Sequence, residues 1–229
     1  MTVDDFAGPR EAAGRDHTFT QTASLEACEP GQHLNALREV AHTASRAASG
    51  ALSRSLRRRV TVTVPEFAVS LLEQLPAVLG HSDRPLVSVM AQLLGDISGP
   101  LAWVMPAPEA KRLAGALLTR EPDSIALDDT AIQAVLIRSA HTLAAAYADV
   151  LGALTHGVVF LSVPELVRGP LGHLVTRPAL ASDSQYPNQL SVCVGSRLRF
   201  DDEGLAVMGH LVYLPHHPAF GRILRALAD

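Results

Sequence analysis

Glu39 and His42, three residues apart, are the first pair in this 229-residue chain whose types and spacing could do chemistry. A carboxylate can hold a cation or take a proton. A neutral imidazole has one donor and one acceptor, so it can fix a water molecule or act as a general base. On a helix, positions three and four apart share a face. Asn35 and Arg46 fall on that same face, four residues to either side of the pair. Further along, Arg138 and His141 repeat the spacing, with Ala134 where the first copy has Asn35. The second copy keeps the imidazole and inverts the charge beside it.

The elements that must position these residues follow from periodicity. Leu34, Leu37, Ala41, Ala44, Ala48, Leu52 and Leu56 recur at spacings of three and four, which predicts a helix over 35–56 with a core-facing stripe. The stripe is small in its middle, so neighbours can approach closely. Arg57-Arg58-Arg59 closes the helix, where cations suit its negative end, and reads as a solvated terminus. VTVTV (60–64) alternates as a strand with one wet face, stopped by Pro65. Residues 67–79 read as a strand running into a short helix, and 81–85 as a loop. Strands over 86–94 and 101–105 flank GDISGP as a hairpin, with Asp96 and Ser98 as turn-formers. A short helix over 108–118 follows, and Asp128 or Asp129 can cap a long helix over 130–154. A strand over 158–163 stops at Pro164, and 171–188 is poorly patterned. Strands over 190–200 and 205–214 form a second hairpin around DDEG, and a helix over 218–228 ends the chain. Residues 1–30 are polar, without period, and read as a mobile tail.

Each half therefore runs helix, strand, irregular segment, hairpin, short helix. His42 and His141 are 99 positions apart (141 − 42), as are Pro65 and Pro164 (164 − 65). One offset across a helix and the next strand marks a duplication, with repeats over about 31–122 and 128–229. Pro106 and Pro215 differ by 109 (215 − 106), so the second copy carries about ten more residues. Neither half covers both its helix and its sheet alone. The expectation is one α+β domain over 31–229, with a pseudo-twofold, mainly antiparallel sheet and the two long helices on one face.

Bulk properties narrow the function. A hydrophobic content of 48% is ample for a core, and a net charge of −4 offers no long-range attraction to nucleic acid or anionic membrane. No apolar run reaches the ~20 residues of a membrane helix, and no basic start precedes an apolar block, so a cytoplasmic protein is expected. Cys28 and Cys193 are too few for a disulfide framework or a metal knuckle. A metal bridging His42 and His141 would lack cysteine or carboxylate support. GxSxG, GxxxxGK[ST] and GxGxxG are all absent.

Three stretches carry a resemblance. LREVAHTASRAASGALS (37–53) resembles the first active helix of the CheC, CheX and FliY family of chemotaxis phosphatases. GDISGPLAWVMP (95–106) is similar to the family's hairpin, and AHTLAAAYADVLG (140–152), with Tyr147, to its second active helix. The resemblance spans about 31–229. It implies removal of phosphate from the phospho-aspartate of a CheY-type response regulator. In that mechanism a motif Glu contacts the regulator's active-site Lys, and a motif Asn enters its site and orients the attacking water. The Mg²⁺ belongs to the regulator, so no cofactor of the protein's own is expected.

Carried over by position, the first motif gives Asn35, Glu39 and His42, with Arg46 as a further partner contact, and the second gives Ala134, Arg138 and His141. Both have His where the family has Asn. The first site keeps its Glu; in the second, Arg138 would repel a lysine. Two main expectations follow: a protein aspartyl-phosphate phosphatase working through Glu39 and His42, or a binding module that docks a receiver without turnover. The resemblance also implies a CheD-like receptor-deamidase as a possible partner, and homodimers joined at sheet edges.

Overall fold

The computed structural model describes residues 30–80, 85–170, 190–202 and 204–228. Helix α1 spans Pro30–Leu56. Strand β1 (Val60–Thr63) and strand β2 (Phe67–Leu71) follow, then a 3₁₀ turn and helix α2 (Leu75–Leu79). Strands β3 (Leu86–Gly95) and β4 (Gly99–Pro106) form the first hairpin, and helix α3 (Ala107–Leu118) ends the first repeat. The second repeat has helix α4 (Thr130–Thr155), strands β5 (Val159–Leu161) and β6 (Glu165–Gly169), hairpin strands β7 (Leu190–Phe200) and β8 (Leu205–Tyr213), and helix α5 (His217–Ala228). The expected tail over 1–30 lies outside the described residues except for Pro30, which already opens α1. Proline suits a helix's first turn, where its missing N–H has no partner to lose. The stretch 171–188 and most of the 81–85 loop also lie outside them.

All eight strands belong to one antiparallel sheet, so the α+β reading holds. Its order is β1-β7-β8-β4-β3-β5, with β2 continuing β1 along β7 and β6 continuing β5 along β3. The repeats therefore exchange edges. The first repeat's β1 and β2 pair with the second repeat's hairpin, and β5 and β6 pair with the first repeat's hairpin. The pseudo-twofold passes between β4 and β8, which pair from Leu101↔Tyr213 to Val104↔His210.

The sheet is apolar on both faces. One face carries Val87, Val89, Trp103, Val194, Leu198 and Phe200 into the main core with α1, α3, α4 and α5. The other carries Leu86, Met90, Val104, Cys193 and Val212 toward α2, where Leu75 and Leu79 are buried. Trp103 is 1% exposed, and its indole N–H donates to Ser196 Oγ (3.1 Å), which donates to the Gly209 carbonyl (3.1 Å). A Cβ at Gly209 would stand 2.7 Å from the indole nitrogen, so the ring needs glycine there.

Three local readings need correction. The strand expected over 158–163 is only Val159–Leu161, and a further strand, Glu165–Gly169, resumes beyond Pro164. Pro164 interrupts the edge rather than ending it, as Pro65 does between β1 and β2. Leu34, counted in the core stripe, is exposed, because α1 meets the core only from Leu37 onward. Arg58 is not merely solvated. Its guanidinium lies 5.2 Å from the centroid of Phe200 and bonds Asp202 at 2.8 Å.

The GDISG turn does more than reverse the chain. Asp96 N–H donates to the Val158 carbonyl (2.9 Å), and the carboxylate accepts from Val158 N–H (2.9 Å) and from Arg222 of α5. The Ser98 carbonyl accepts from Tyr213 Oη (3.1 Å) and His216 N–H (3.0 Å). Gly95 has φ +99°, and a Cβ on it would lie 2.2 Å from the Val158 carbonyl oxygen. The turn thus fastens the first hairpin to the entry of β5 and to the chain leading into α5.

The backbone hydrogen bond from Val158, then the Arg222 guanidinium, hold the Asp96 carboxyl below its ordinary value of 3.8. A lowered native pKa gives stability that is present above the unfolded value and lost as pH falls through the native one. Asp96→Asn should therefore flatten the acid limb of a Tm-against-pH profile below about pH 4. An unchanged acid limb would mean that Asp96 contributes no linkage.

Candidate functional site

Helices α1 and α4 pack side by side over the sheet. Ala41, Ala44 and Ala48 on α1 are buried, as are Ala140, Ala144 and Ala148 on α4, and side chains this small allow the two helices a close approach. Asp129 caps α4 by accepting from Ala131 N–H at 2.8 Å. Both long helices end in a left-handed non-glycine residue, Arg57 (φ 52°) and His156 (φ 49°), again 99 positions apart (156 − 57). The duplication extends to the caps.

The same packing leaves the outward face of α1 open. Asn35, Glu39 and Arg46 are exposed there, and His42 is half-buried. The Ser45 hydroxyl donates to the His42 carbonyl at 2.8 Å, which leaves the imidazole free of that bond. Arg46 Nη2 donates to Thr43 Oγ1 at 3.0 Å. On α4, Ala134, Arg138 and His141 are all exposed. Both motifs therefore present their side chains outward, as their helical period requires. Tyr147 does not. It is 6% exposed and lines a small apolar cleft of about 50 Å³ with Leu37 and Ile223.

His42 and Arg46 also border an open groove of about 410 Å³ between α1 and β1, with Ser45, Ser49, Thr61 and Thr63. Sequence reading missed this groove. The alternation of VTVTV put Thr61 and Thr63 on a wet face, but nothing in the sequence placed that strand beside α1. What places it is a pair of serines one turn apart. Val62 N–H donates to Ser49 Oγ (2.8 Å), which donates to the Ser45 carbonyl (2.8 Å). Val60 N–H donates to Ser53 Oγ (3.0 Å), and that hydroxyl lies 3.1 Å from the Val60 carbonyl. The helix thereby takes up amides on the edge of β1 that β7 does not reach. Ala148 and Gly152 hold the equivalent positions on α4 and supply no hydroxyl.

Among the described residues, no group of three His, Cys, Asp or Glu side chains gathers where it could hold a metal ion. No helix among them is long and apolar enough to cross a membrane. Cys193 is buried, and burial with the nearby Glu66 charge pushes its thiol up to about 12, which leaves it a poor nucleophile. Cys28 lies outside the described residues.

These features define a duplicated α+β scaffold that carries two related helix faces. No family model matches the sequence. The chain is 24% identical over 199 residues to the CheY-P phosphatase CheC of Bacillus subtilis, covering 86% of this chain and 94% of CheC. In structure it is similar to Thermotoga maritima FliY, with a TM-score of 0.69, 14% identity, and coverage of 88% of this chain and 98% of FliY. It also shares its fold with FliM in a FliG–FliM complex from H. pylori, with a TM-score of 0.58, 12% identity, and coverage of 88% of this chain and 100% of that one. In sequence the chain is similar to CheC, and in fold to FliY and FliM.

Removing either edge-sealing hydroxyl leaves a strand amide without its partner. Ser49→Ala and Ser53→Ala should each cost about 1–3 kcal/mol in urea unfolding. Serine variants no less stable than wild type would refute the edge-sealing role.

Proposed function

We propose that the protein docks a CheY-type response-regulator receiver through the outward face of α1 and removes phosphate from its aspartyl phosphate. Glu39 would hold the receiver's lysine, and His42 would orient the attacking water or take its proton. Asn35 and Arg46 would contact the receiver's rim. Any Mg²⁺ would come with the receiver. The observation that carries this reading is the pairing of an exposed Glu39 with a half-buried His42 on the outward side of α1, in a chain whose relative CheC is named for CheY-P. Phosphoryl transfer asks mainly for positioning, and a rigid helix packed on a sheet supplies it. The second face is expected to be idle, since Arg138 opposes a lysine.

A specific observation favours a second reading, binding without turnover. Both sites carry His where the family pattern has Asn. Imidazole is bulkier than a carboxamide and reaches differently, so docking can outlast hydrolysis. The FliM neighbour, solved in complex with FliG, also meets a protein partner.

The decisive measurement is the decay of a phosphorylated receiver with and without the protein. Turnover predicts accelerated decay that falls by about 10²-fold in His42→Ala and is unchanged in His141→Ala. Binding without acceleration would establish the second reading, and no binding at all would exclude both. His42→Asn should raise the rate by on the order of tenfold, equivalent to about 1.4 kcal/mol of barrier. Glu39→Arg should weaken receiver binding in either case.

A further inference from the structure

The groove between α1 and β1 carries side chains, Arg46 and Thr61 among them, that seal no strand edge. The duplication supplies an internal control. Ser45, Arg46, Ser49 and Thr61 correspond, at the offset of 99, to Ala144, Ala145, Ala148 and Phe160. At these four positions the second repeat is apolar, and Phe160 stands 62% exposed; Thr63 and His42 have polar counterparts in Ser162 and His141, so Arg46 and Thr61 are what set the first groove apart. In the first repeat the lining brings together a guanidinium, an imidazole and the hydroxyls of two exposed threonines, with no carboxylate among them.

Two more guanidiniums stand beside it. Arg199 and Arg197 are the cross-strand partners of Thr61 and Thr63, and both are exposed. Arg199 lies 3.7 Å from Asp201, and Arg197 Nε lies 3.2 Å from Met208 Sδ. Arg46 bonds only a threonine hydroxyl. A guanidinium fork and rotatable hydroxyls bordering one groove suit an oxyanion of tetrahedral shape, which accepts at every oxygen. An apolar or cationic ligand would leave these donors unpaired or repelled.

We propose that the α1–β1 groove binds a phosphate-class oxyanion, with Arg46 as its anchor and Thr61 and Thr63 as accompanying donors. The anion can be free inorganic phosphate or a phosphoryl group carried on a partner protein. The proposal does not rest on the receiver reading, because its first test needs only the protein and phosphate. An open groove gives a modest, salt-sensitive affinity.

The test titrates inorganic phosphate into the ¹⁵N-labelled full chain at low ionic strength. The amides of Thr61, Val62, Thr63 and Val64 should shift saturably, with a Kd on the order of 1 mM. Raising the salt should abolish the shift, and Arg46→Gln should remove it. Arg54→Gln, which removes an exposed charge of α1 outside the groove, should retain it. No saturable shift in the native chain, an undiminished shift in Arg46→Gln, or equal loss in Arg54→Gln would each overturn the proposal. Circular dichroism on both variants separates loss of binding from loss of fold. A second arm compares Arg46→Gln against phosphorylated and unphosphorylated receiver. Selective weakening toward the phosphorylated form makes the protein-borne phosphoryl group the ligand. Equal binding, with the phosphate shift intact in the native chain, assigns the groove to the free ion. The receiver proposal is read separately from phosphate decay, so either can fail while the other stands.

Discussion

The exchange of edge strands between repeats is the constraint on which the rest of the structure depends. β1 and β2 hydrogen-bond to β7, and β5 and β6 to β3, so each repeat is completed by the other. Each long helix runs straight into one of these edge strands. Its position over the sheet is therefore fixed by a hairpin from the opposite half. Separating the halves would strand four edge segments without partners and uncover apolar surface on both sheet faces. A tilt of either helix would therefore disturb the sheet's outermost ladder.

Two devices hold the exchange in place near the pseudo-twofold. Trp103 reaches from β4 to Ser196 on β7, passing over Gly209 on β8, and so ties the first hairpin to the second through a buried, fully donated indole. The GDISG turn grips the entry of β5 on one side and the start of α5 on the other. Both act between halves rather than within one. A motif that looks like a simple hairpin turn therefore does most of its work outside the hairpin.

Much of this was legible in the sequence, and the parts that were not have physical reasons. The helices, both hairpins and the duplication could be read because each rests on local periodicity or on a constant offset between like residues. The second strand beyond Pro164 was missed because ELVRG mixes charge with apolar residues and shows no clean alternation. Its pairing with β3 comes from a distant segment. Ser49 and Ser53 read as small helical residues, and their role exists only once α1 lies along β1. Arg58 had the same fate: its stacking on Phe200 depends on a strand 142 residues away (200 − 58). The motif residues were found by type and spacing, and the face they occupy followed from helical period. The groove beside them was not legible, because it is made by two elements whose adjacency no local pattern encodes.

A symmetric scaffold with asymmetric chemistry constrains what the protein can do. Where α1 presents Glu39, α4 presents Arg138, and where β1 presents Thr61, β5 presents Phe160. These differences sit on exposed positions that the core does not restrict, while the buried positions keep small residues on both helices. Packing therefore accounts for the similarity of the halves and leaves the surface differences unexplained. Two identical docking faces would invite two copies of one partner, on helices that pack against each other and leave little room for both. Arg138 is exposed, so the inverted charge touches no core packing, and under the proposed receiver reading it would turn a second receiver away, since a like charge opposite a lysine disfavours the encounter. On the same proposed reading, the retained imidazole of His141 would not by itself make a second working site, because Arg138 beside it opposes a lysine.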